Sequence, residues 1–217
     1  MGTIHNYDAI VFDLDGTLID SADIKTWAFG RLYQQHGQAI VDEVISYHLS
    51  NQGVSRFEKF RYWQEKLLGE PYTESIGNVL SQQLNELVTD AVISAPYIAG
   101  AQEFLESHCN HLPLFVASAT PEAELRKIIT ERGMARYFHA VFGAPARKAE
   151  ILQQIISKNR WEPHKVLMVG DAAADYEGAQ ASGTGFVAIA EGEHPSCFKD
   201  LTMQLPDLTR LEQVICE

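Results

Sequence analysis

The chain has few cysteines, a deficit of basic residues and no long apolar run. Its three cysteines, Cys109, Cys197 and Cys216, form no metal-ligand pattern, and we expect them to be reduced thiols. Lysine and arginine together number 17 against 29 acidic residues, which gives a formal net charge of −12. Nucleic acids and anionic membranes bind basic surfaces, so this balance argues against both as partners.

The sequence also shows no segment typical of secretion or of membrane anchoring. No basic segment followed by an apolar one marks a secretory signal, and no run approaches the ~20 apolar residues of a membrane helix. We therefore expect a cytoplasmic protein, as a monomer or a homodimer. The 217 residues are 46% hydrophobic and 21% charged, an ordinary globular composition that can bury a sizeable core.

Five short apolar runs predict the strands of one sheet. They are apolar on successive residues, as is typical of strands covered on both faces. Helical patterns separate the runs from residue 96 onward, which predicts a doubly wound parallel α/β sheet. One of these helices should begin at Thr120-Pro121-Glu122, with Thr120 as its N-cap. The runs are Ile10–Asp13, Leu112–Ser118, Ala140–Phe142, Val166–Asp171 and Phe186–Ile189.

The interval between the first and second runs is too long for a single crossover. It contains no convincing strand, and its apolar residues recur at helical spacing, for example Leu80, Leu84, Leu87, Val88 and Ala91. We therefore predict two domains: a helical cap over residues 20–95, and a catalytic core formed by residues 1–19 and 96–217.

Four polar features fall at the carboxyl ends of the predicted strands. Asp13 and Ser118 end the first and second strands, and Lys148 opens the helix after the third. Asp171 ends the fourth strand, within the segment Gly170–Asp175. Ligands bind at this edge of open α/β sheets, so these side chains should converge on one site.

The converging acids indicate a metal. Four carboxylates would meet with Lys148 as the only expected counter-charge, namely those of Asp13, Asp15, Asp171 and Asp175. Such repulsion raises carboxylate pKa values or recruits a cation, and Mg²⁺ fits because it uses few carboxylate oxygens. Asp13, Asp171 and the carbonyl of Asp15 would be its ligands. Asp175 would orient Lys148 or a water, and protonation of Asp15 would bring the local charge near zero.

A carboxylate beside a metal favours phosphoryl transfer through an aspartyl-phosphate. Asp13 would be the nucleophile. Asp15 would protonate the leaving alkoxide and then take a proton from the water that hydrolyses the intermediate. Ser118 and the backbone N–H of Ala119 would hold a phosphate oxygen, while Lys148 would neutralise charge on the transferring group.

The segment Phe12–Leu18, which reads FDLDGTL, resembles the first signature motif of the haloacid dehalogenase superfamily, in its phosphatase branch. Ser118, Lys148 and Gly170–Asp175 are similar to that family's later motifs, in the same order. The resemblance spans nearly the whole chain and implies the same site roles. It also implies a phosphoglycolate phosphatase-like architecture, with a Rossmann-like core of strand order 5-4-1-2-3 and a helical cap after the first strand.

Asp15 narrows the chemistry that the resemblance implies. Dehalogenases have no aspartate at this position, because a halide leaves without a proton, and phosphonate-cleaving members use a lysine in the insert instead. A Mg²⁺-dependent phosphatase for a small soluble phosphomonoester is therefore expected. In the cap, Arg56 or Lys59 is expected to bind a second anionic or hydroxyl-rich part of the substrate.

Other interpretations remain open at this stage. A phosphosugar mutase of the same fold would return the phosphate to a sugar, and a catalytically silent binding or regulatory module would use the fold without turnover. A calcium loop at Asp13 and Asp15 lacks the later oxygen ligands that it needs. A receiver-like phosphoacceptor domain would have neither the long insert nor the acidic pair Asp171 and Asp175.

Overall fold

The computed structural model of the chain describes residues 6–190 and 203–216. These residues form a parallel sheet of six strands in the order β3-β2-β1-β4-β5-β6. The strands are β1 (Ala9–Phe12), β2 (Leu114–Pro121), β3 (Ala140–Ala144), β4 (Val166–Gly170), β5 (Gly185–Ile189) and β6 (Gln204–Leu205). The doubly wound fold is confirmed, and so is the predicted order of the first five strands. The sixth strand was not predicted, because two residues are too few to produce an apolar run.

The central strand β1 shows why the apolar runs are continuous rather than alternating. All four of its residues are fully buried. Ile10 and Phe12 pack into the larger hydrophobic cluster, whereas Ala9 and Val11 pack into a second cluster. Successive side chains of a strand point to opposite faces, so both faces of the sheet are covered.

Five α-helices lie between β1 and β2, and four more follow β2 in the described part of the chain. The first group is α1 (Ala22–Leu32), α2 (Gln38–Ser50), α3 (Arg56–Tyr62), α4 (Glu74–Ser94) and α5 (Ala101–His108). The second group is α6 (Glu122–Glu131), α7 (Lys148–Asn159), α8 (Ala173–Ser182) and α9 (Leu211–Ile215). We call residues 20–95, which carry α1–α4, the helical insert. No helix among the described residues is long and apolar enough to cross a bilayer.

The helical insert contributes a group of aromatic residues to the larger hydrophobic cluster. The Trp63 ring lies 5.2 Å from the rings of both Phe29 and Tyr33, in edge-to-face contacts. In α4 the buried stripe includes Leu84, Val88 and Val92, spaced four residues apart. Ala91, part of the predicted apolar pattern, is exposed because the stripe passes through Val92 instead.

The structure corrects the predicted start of one helix. The helix α6 begins at Glu122 with Pro121 at its N-cap position, so the assignment of Thr120 as the N-cap was wrong. The hydroxyl of Thr120 contacts Asp15 instead. Cys109 carries a free thiol, and Cys197 lies outside the described residues.

Candidate active site

Three carboxylates meet where β1 and β4 end. These strands are parallel neighbours, so residues just beyond their carboxyl ends share one edge of the sheet. Asp13 follows β1 directly, and Asp171 follows β4 directly. Asp175 lies in the first turn of α8. Oxygen atoms of the three side chains all lie within 4.8 Å of one another, which is the convergence that the strand ends predicted.

The turn after β1 brings the backbone close to Asp171. Gly16 has a φ of +81°, and a Cβ atom at this position would lie 2.4 Å from Asp171 Oδ2. Only glycine fits here, because both the positive φ and the close contact exclude a side chain. The next residue, Thr17, donates a hydrogen bond from Oγ1 to Asp171 Oδ1 at 2.9 Å. Sequence reasoning did not assign Thr17 this role in orienting Asp171.

Lys148 opens α7 and reaches the same carboxylates. Its ammonium lies 3.0 Å from Asp13 Oδ1, as an ion pair rather than a well-directed hydrogen bond, and it donates to Asp175. Asp175 in turn accepts the N–H of Ala172 at 3.0 Å. Gly178 of α8 lets α7 approach, since a Cβ there would lie 2.9 Å from the Cβ of Lys148. The neighbouring Arg147 points away and pairs with Glu58.

Burial and repulsion disturb the protonation of this cluster. Burial, together with Asp175 and Asp15, raises the pKa of Asp13 to about 7 despite the opposing Lys148. Burial and the charge of Asp13 likewise raise the pKa of Asp171 well above its ordinary value. Burial alone would lower the pKa of Lys148, but Asp13 and Asp175 raise it above its usual range. The cluster therefore carries more negative charge than Lys148 balances.

The donor set fits Mg²⁺. Among the described residues, the possible metal-ligand atoms grouped at Asp13, Asp171 and Asp175 are carboxylate oxygens, and hard cations such as Mg²⁺ prefer carboxylate oxygen. A dication would offset the repulsion that raises the two carboxylate pKa values. The group of Asp13, Asp171 and Asp175 is thus compatible with a magnesium site.

Asp15 is paired with a lysine that sequence reasoning missed. Lys25 of α1 forms an ion pair with Asp15 Oδ2 and donates to Thr120 Oγ1 at 2.8 Å. Ser21 donates to Asp15 Oδ1 at 2.6 Å. Burial would raise the pKa of Asp15, yet Lys25 and these hydroxyls bring it below its ordinary value.

Lys25 changes the charge balance that the sequence predicted for the site. Lys148 was expected to be the only counter-charge, but Lys25 supplies a second one. Four carboxylates, two ammonium groups and one dication sum to zero, so a protonated Asp15 is not needed for neutrality. No sequence spacing indicated Lys25, because it reaches Asp15 only when α1 folds back over the end of β1.

Ser118 and Ala119 lie beside Asp13, where the regular pairing of β2 with β3 is interrupted. The register between the two strands shifts between Ala117 and Pro121. Ser118 is buried and its Oγ accepts the N–H of Thr120 at 3.1 Å. Ser118 and Ala119 both line the cleft that contains Asp13, so a phosphate held by the Ala119 N–H would face the cluster.

The helical insert covers the cleft and contributes polar groups to it. Gly53, with a φ of +74°, packs against the loop after β4, and a Cβ there would lie 2.9 Å from the Cβ of Ala174. Arg56 and Lys59 both line the cleft and both are buried. Arg56 is paired with Glu124 of α6 at 2.9 Å, so its charge is already balanced within the protein.

Comparison with known proteins gives a consistent picture. Residues 10–189 match the family model described as haloacid dehalogenase-like hydrolase. A phosphorylated carbohydrates phosphatase from Thermotoga maritima is 23% identical, over 81% of this chain and 82% of that protein. A phosphoglycolate phosphatase from Synechococcus elongatus is 27% identical, over 85% of this chain and 84% of that protein.

A solved structure shares the fold at lower identity. The β-phosphoglucomutase of Clostridium difficile superposes with a TM-score of 0.77 at 17% identity, covering 96% of this chain and 95% of that chain. The fold, the acidic cluster at the ends of β1 and β4, and a family match spanning most of the chain agree with one another. The chain belongs to the haloacid dehalogenase-like hydrolase family, and its relatives support an enzyme that acts on phosphate esters.

Proposed function

We propose that the protein is a Mg²⁺-dependent phosphatase that hydrolyses a small phosphomonoester through an aspartyl-phosphate. The observation that carries this proposal is the placement of Asp13 beside both Lys148 and the oxygen cluster with Asp171 and Asp175. In this proposal residues 20–95 act as a cap over a core formed by residues 1–19 and 96–217. Such a cap excludes water and presents substrate-binding groups.

In the first step a carboxylate oxygen of Asp13 attacks phosphorus, and the bond from phosphorus to the ester oxygen breaks. Asp15, carrying a proton in the substrate complex, donates it to the departing alkoxide. Lys25 holds Asp15 ionised before substrate binds, so the proton must be taken up with the substrate. The products of this step are an alcohol and phosphorylated Asp13.

In the second step water attacks the phosphorus of phosphorylated Asp13. Asp15, now ionised, accepts a proton from this water, and the bond from phosphorus to the Asp13 oxygen breaks. Inorganic phosphate leaves and Asp13 is regenerated. Because Ser21 and Thr120 hold the two oxygens of Asp15, the carboxyl group keeps one orientation for both transfers.

The remaining groups bind the phosphoryl group and its charge. Ser118 Oγ and the N–H of Ala119 would hold one phosphoryl oxygen, and Lys148 would hold another. Asp13, Asp171 and the carbonyl of Asp15 would bind Mg²⁺, which supplies electrostatic stabilisation of the transferring group. Asp175 orients Lys148 from behind through its direct contact with the ammonium.

A screen for phosphate release tests this proposal. Purified protein with Mg²⁺ is offered sugar phosphates, phosphoglycolate, nucleotides and p-nitrophenyl phosphate, without any bisphosphate activator. We expect inorganic phosphate from at least one ester, its loss with EDTA, and no turnover by Asp13→Asn. Phosphate transfer between positions of a sugar without release would instead support a mutase. Failure on every ester would support a catalytically silent module.

A further inference from the structure

Lys59 is a buried cation with an incomplete set of partners. It lies on α3, is 2% exposed and lines the cleft above Asp13. Within residues 6–190 and 203–216, no carboxylate oxygen lies within 4 Å of its ammonium. The other buried cations of the cleft region are paired, since Arg56 contacts Glu124 and Lys148 contacts Asp13.

The polar partner of Lys59 is a neutral histidine. Its Nζ lies 2.8 Å from Nδ1 of His48, on α2. Burial, with Lys59 and Lys25 nearby, lowers the pKa of His48 to about 3, so the imidazole accepts this hydrogen bond without adding charge. The Phe29 ring of α1 lies 5.5 Å from the ammonium. A lysine ammonium has three donors, so two remain for a ligand.

Keeping this cation in the cleft is unfavourable without a ligand. Burial, followed by repulsion from Lys25 and Arg56, lowers the pKa of Lys59 to about 7. A lysine that served only to fill space would be replaced at no loss by a residue without charge, such as methionine. A buried ammonium that faces a cleft is instead typical of a site whose ligand brings the counter-charge.

The position of Lys59 assigns it to the leaving group rather than to the phosphate. Ser118 and Ala119 line the cleft from the sheet together with Asp13, which Lys148 contacts, whereas Lys59 and His48 line it from the helical insert. The cleft measures about 70 Å³ in this closed arrangement, far below the ~300–1,000 Å³ of pockets for drug-sized ligands. A leaving group that reaches Lys59 must therefore be short.

We propose that Lys59 is a specificity-determining residue that binds a carboxylate on the leaving group of a short phosphomonoester, with His48 as the residue that positions its ammonium. This inference rests on the proposed phosphatase function. A carboxylate fits better than a second phosphate, because one ammonium balances one negative charge and the space is small. Two free donors also match the two oxygens of a carboxylate.

A pair of matched esters tests the proposal. 2-Phosphoglycolate and 2-hydroxyethyl phosphate have the same length and differ by a carboxylate against a hydroxymethyl group. We expect wild-type kcat/KM to favour phosphoglycolate, and Lys59→Met to reduce that preference by about tenfold to 100-fold, the range for a hydrogen bond to a charged group. Lys66→Met is the control, because it removes an exposed lysine charge about two turns farther along the chain, in the helical stretch that continues α3.

Two further measurements separate binding from folding and from catalysis. The Lys59→Met variant should melt at a higher temperature than wild type, because the substitution removes a buried charge that has no counter-ion. If Lys59 had only a structural role, the variant would melt at a lower temperature.

Calorimetry on Asp13→Asn, with and without Lys59→Met, measures binding of both esters without turnover. Equal affinity of Asp13→Asn for the two esters, or tighter binding of a bisphosphate of the same length, would overturn the inference even if phosphatase activity is present. No turnover of any ester by wild type, with phosphoglycolate still preferred in calorimetry, would refute only the proposed function.

Discussion

Three polar side chains contact Asp15, so it does not have the open environment of an isolated acid. Ser21, Lys25 and Thr120 contact its two oxygens, and Asp13 lies two positions away in the sequence. These contacts fix the orientation of the carboxyl group and favour its ionised form before substrate binds. For Asp15 to act as the acid of the proposed first step, it must therefore take up a proton when substrate binds, and the Lys25 pair must weaken.

Replacing Asp15 by Asn should affect poor leaving groups most. The amide keeps the size of the carboxyl group but donates no proton to an alkoxide, and acid–base assistance is worth about 10²–10⁴-fold. We expect that loss for an alkyl phosphate and a smaller loss for p-nitrophenyl phosphate, whose leaving group needs little protonation. Burst amplitudes separate the two steps, and equal loss of the first step on both esters would argue against the acid role.

Gly16 provides a test of the metal site that replaces none of the proposed ligand residues. In Gly16→Ala the new Cβ would collide with Asp171 Oδ2 and displace that side chain. We expect the Mg²⁺ concentration for half-maximal activity to rise by about 10–100-fold, as for losses of groups that orient metal ligands. Gly133→Ala is the matched control, because Gly133 has a φ of +68° with nothing within 4 Å of its Cβ position. A similar rise in the control would contradict the interpretation.

At the scale of elements, the contact of the helical insert with the sheet depends on a few close approaches. Gly53 touches the loop that leads into α8, and Arg56 pairs with Glu124 of α6. Arg132, which follows α6, donates to the carbonyls of Val92, Ile93 and Ala95 at the end of α4. These contacts hold the helical insert against the sheet and α6 at several points.

Gly53→Ala should hinder closure of the insert. Its Cβ would lie 3.0 Å or less from the Cβ atoms of Ala172 and Ala174, so the two surfaces must separate. We expect kcat/KM to fall roughly tenfold to 100-fold, because a ~1 Å displacement of groups around the reacting atoms can cost that much. Gly69→Ala controls for backbone strain, with a φ of +69° and no neighbour within 4 Å. Equal activity of the two variants would refute a role for this contact in closure.

The elements themselves show what could be predicted from sequence. Continuous apolar runs indicated five of the strands, and the ends of β1 and β4 placed Asp13 and Asp171 together because parallel strands align their carboxyl ends. The Lys25–Asp15 and Arg56–Glu124 pairs were not predictable. Both depend on how the helical insert folds back over the sheet, and a single sequence contains no periodic signal for that orientation.

At the scale of the whole molecule, the buried acidic cluster makes the stability of the fold depend on pH. Asp13 is buried among like charges, and its pKa is raised to about 7. A carboxylate with a raised folded-state pKa contributes stability below its unfolded value, and that contribution is lost as pH rises toward 7. Without Mg²⁺, Asp13 therefore destabilises the folded chain at neutral and alkaline pH.

Asp13→Asn should accordingly be more stable than wild type at pH 8 in the absence of metal. The amide removes the repulsion with Asp171 and Asp175, and we expect melting to rise by about 2–4 °C, the shift for ~1 kcal/mol in a chain of this size. The difference should shrink as pH falls toward 4, and Mg²⁺ should stabilise wild type more than the variant. Thermal melts at several pH values measure this, and a lower melting temperature of the variant at pH 8 would contradict it.

Gly178 sets how closely α7, which carries Lys148, can approach α8. The position touches no substrate, yet any side chain there would push α7 and move Lys148 away from Asp13. Natural variation at Gly178 should therefore be as restricted as at the acids themselves. Saturation mutagenesis of residue 178, followed by selection for turnover, should return almost only glycine, although this residue takes no part in the proposed reaction.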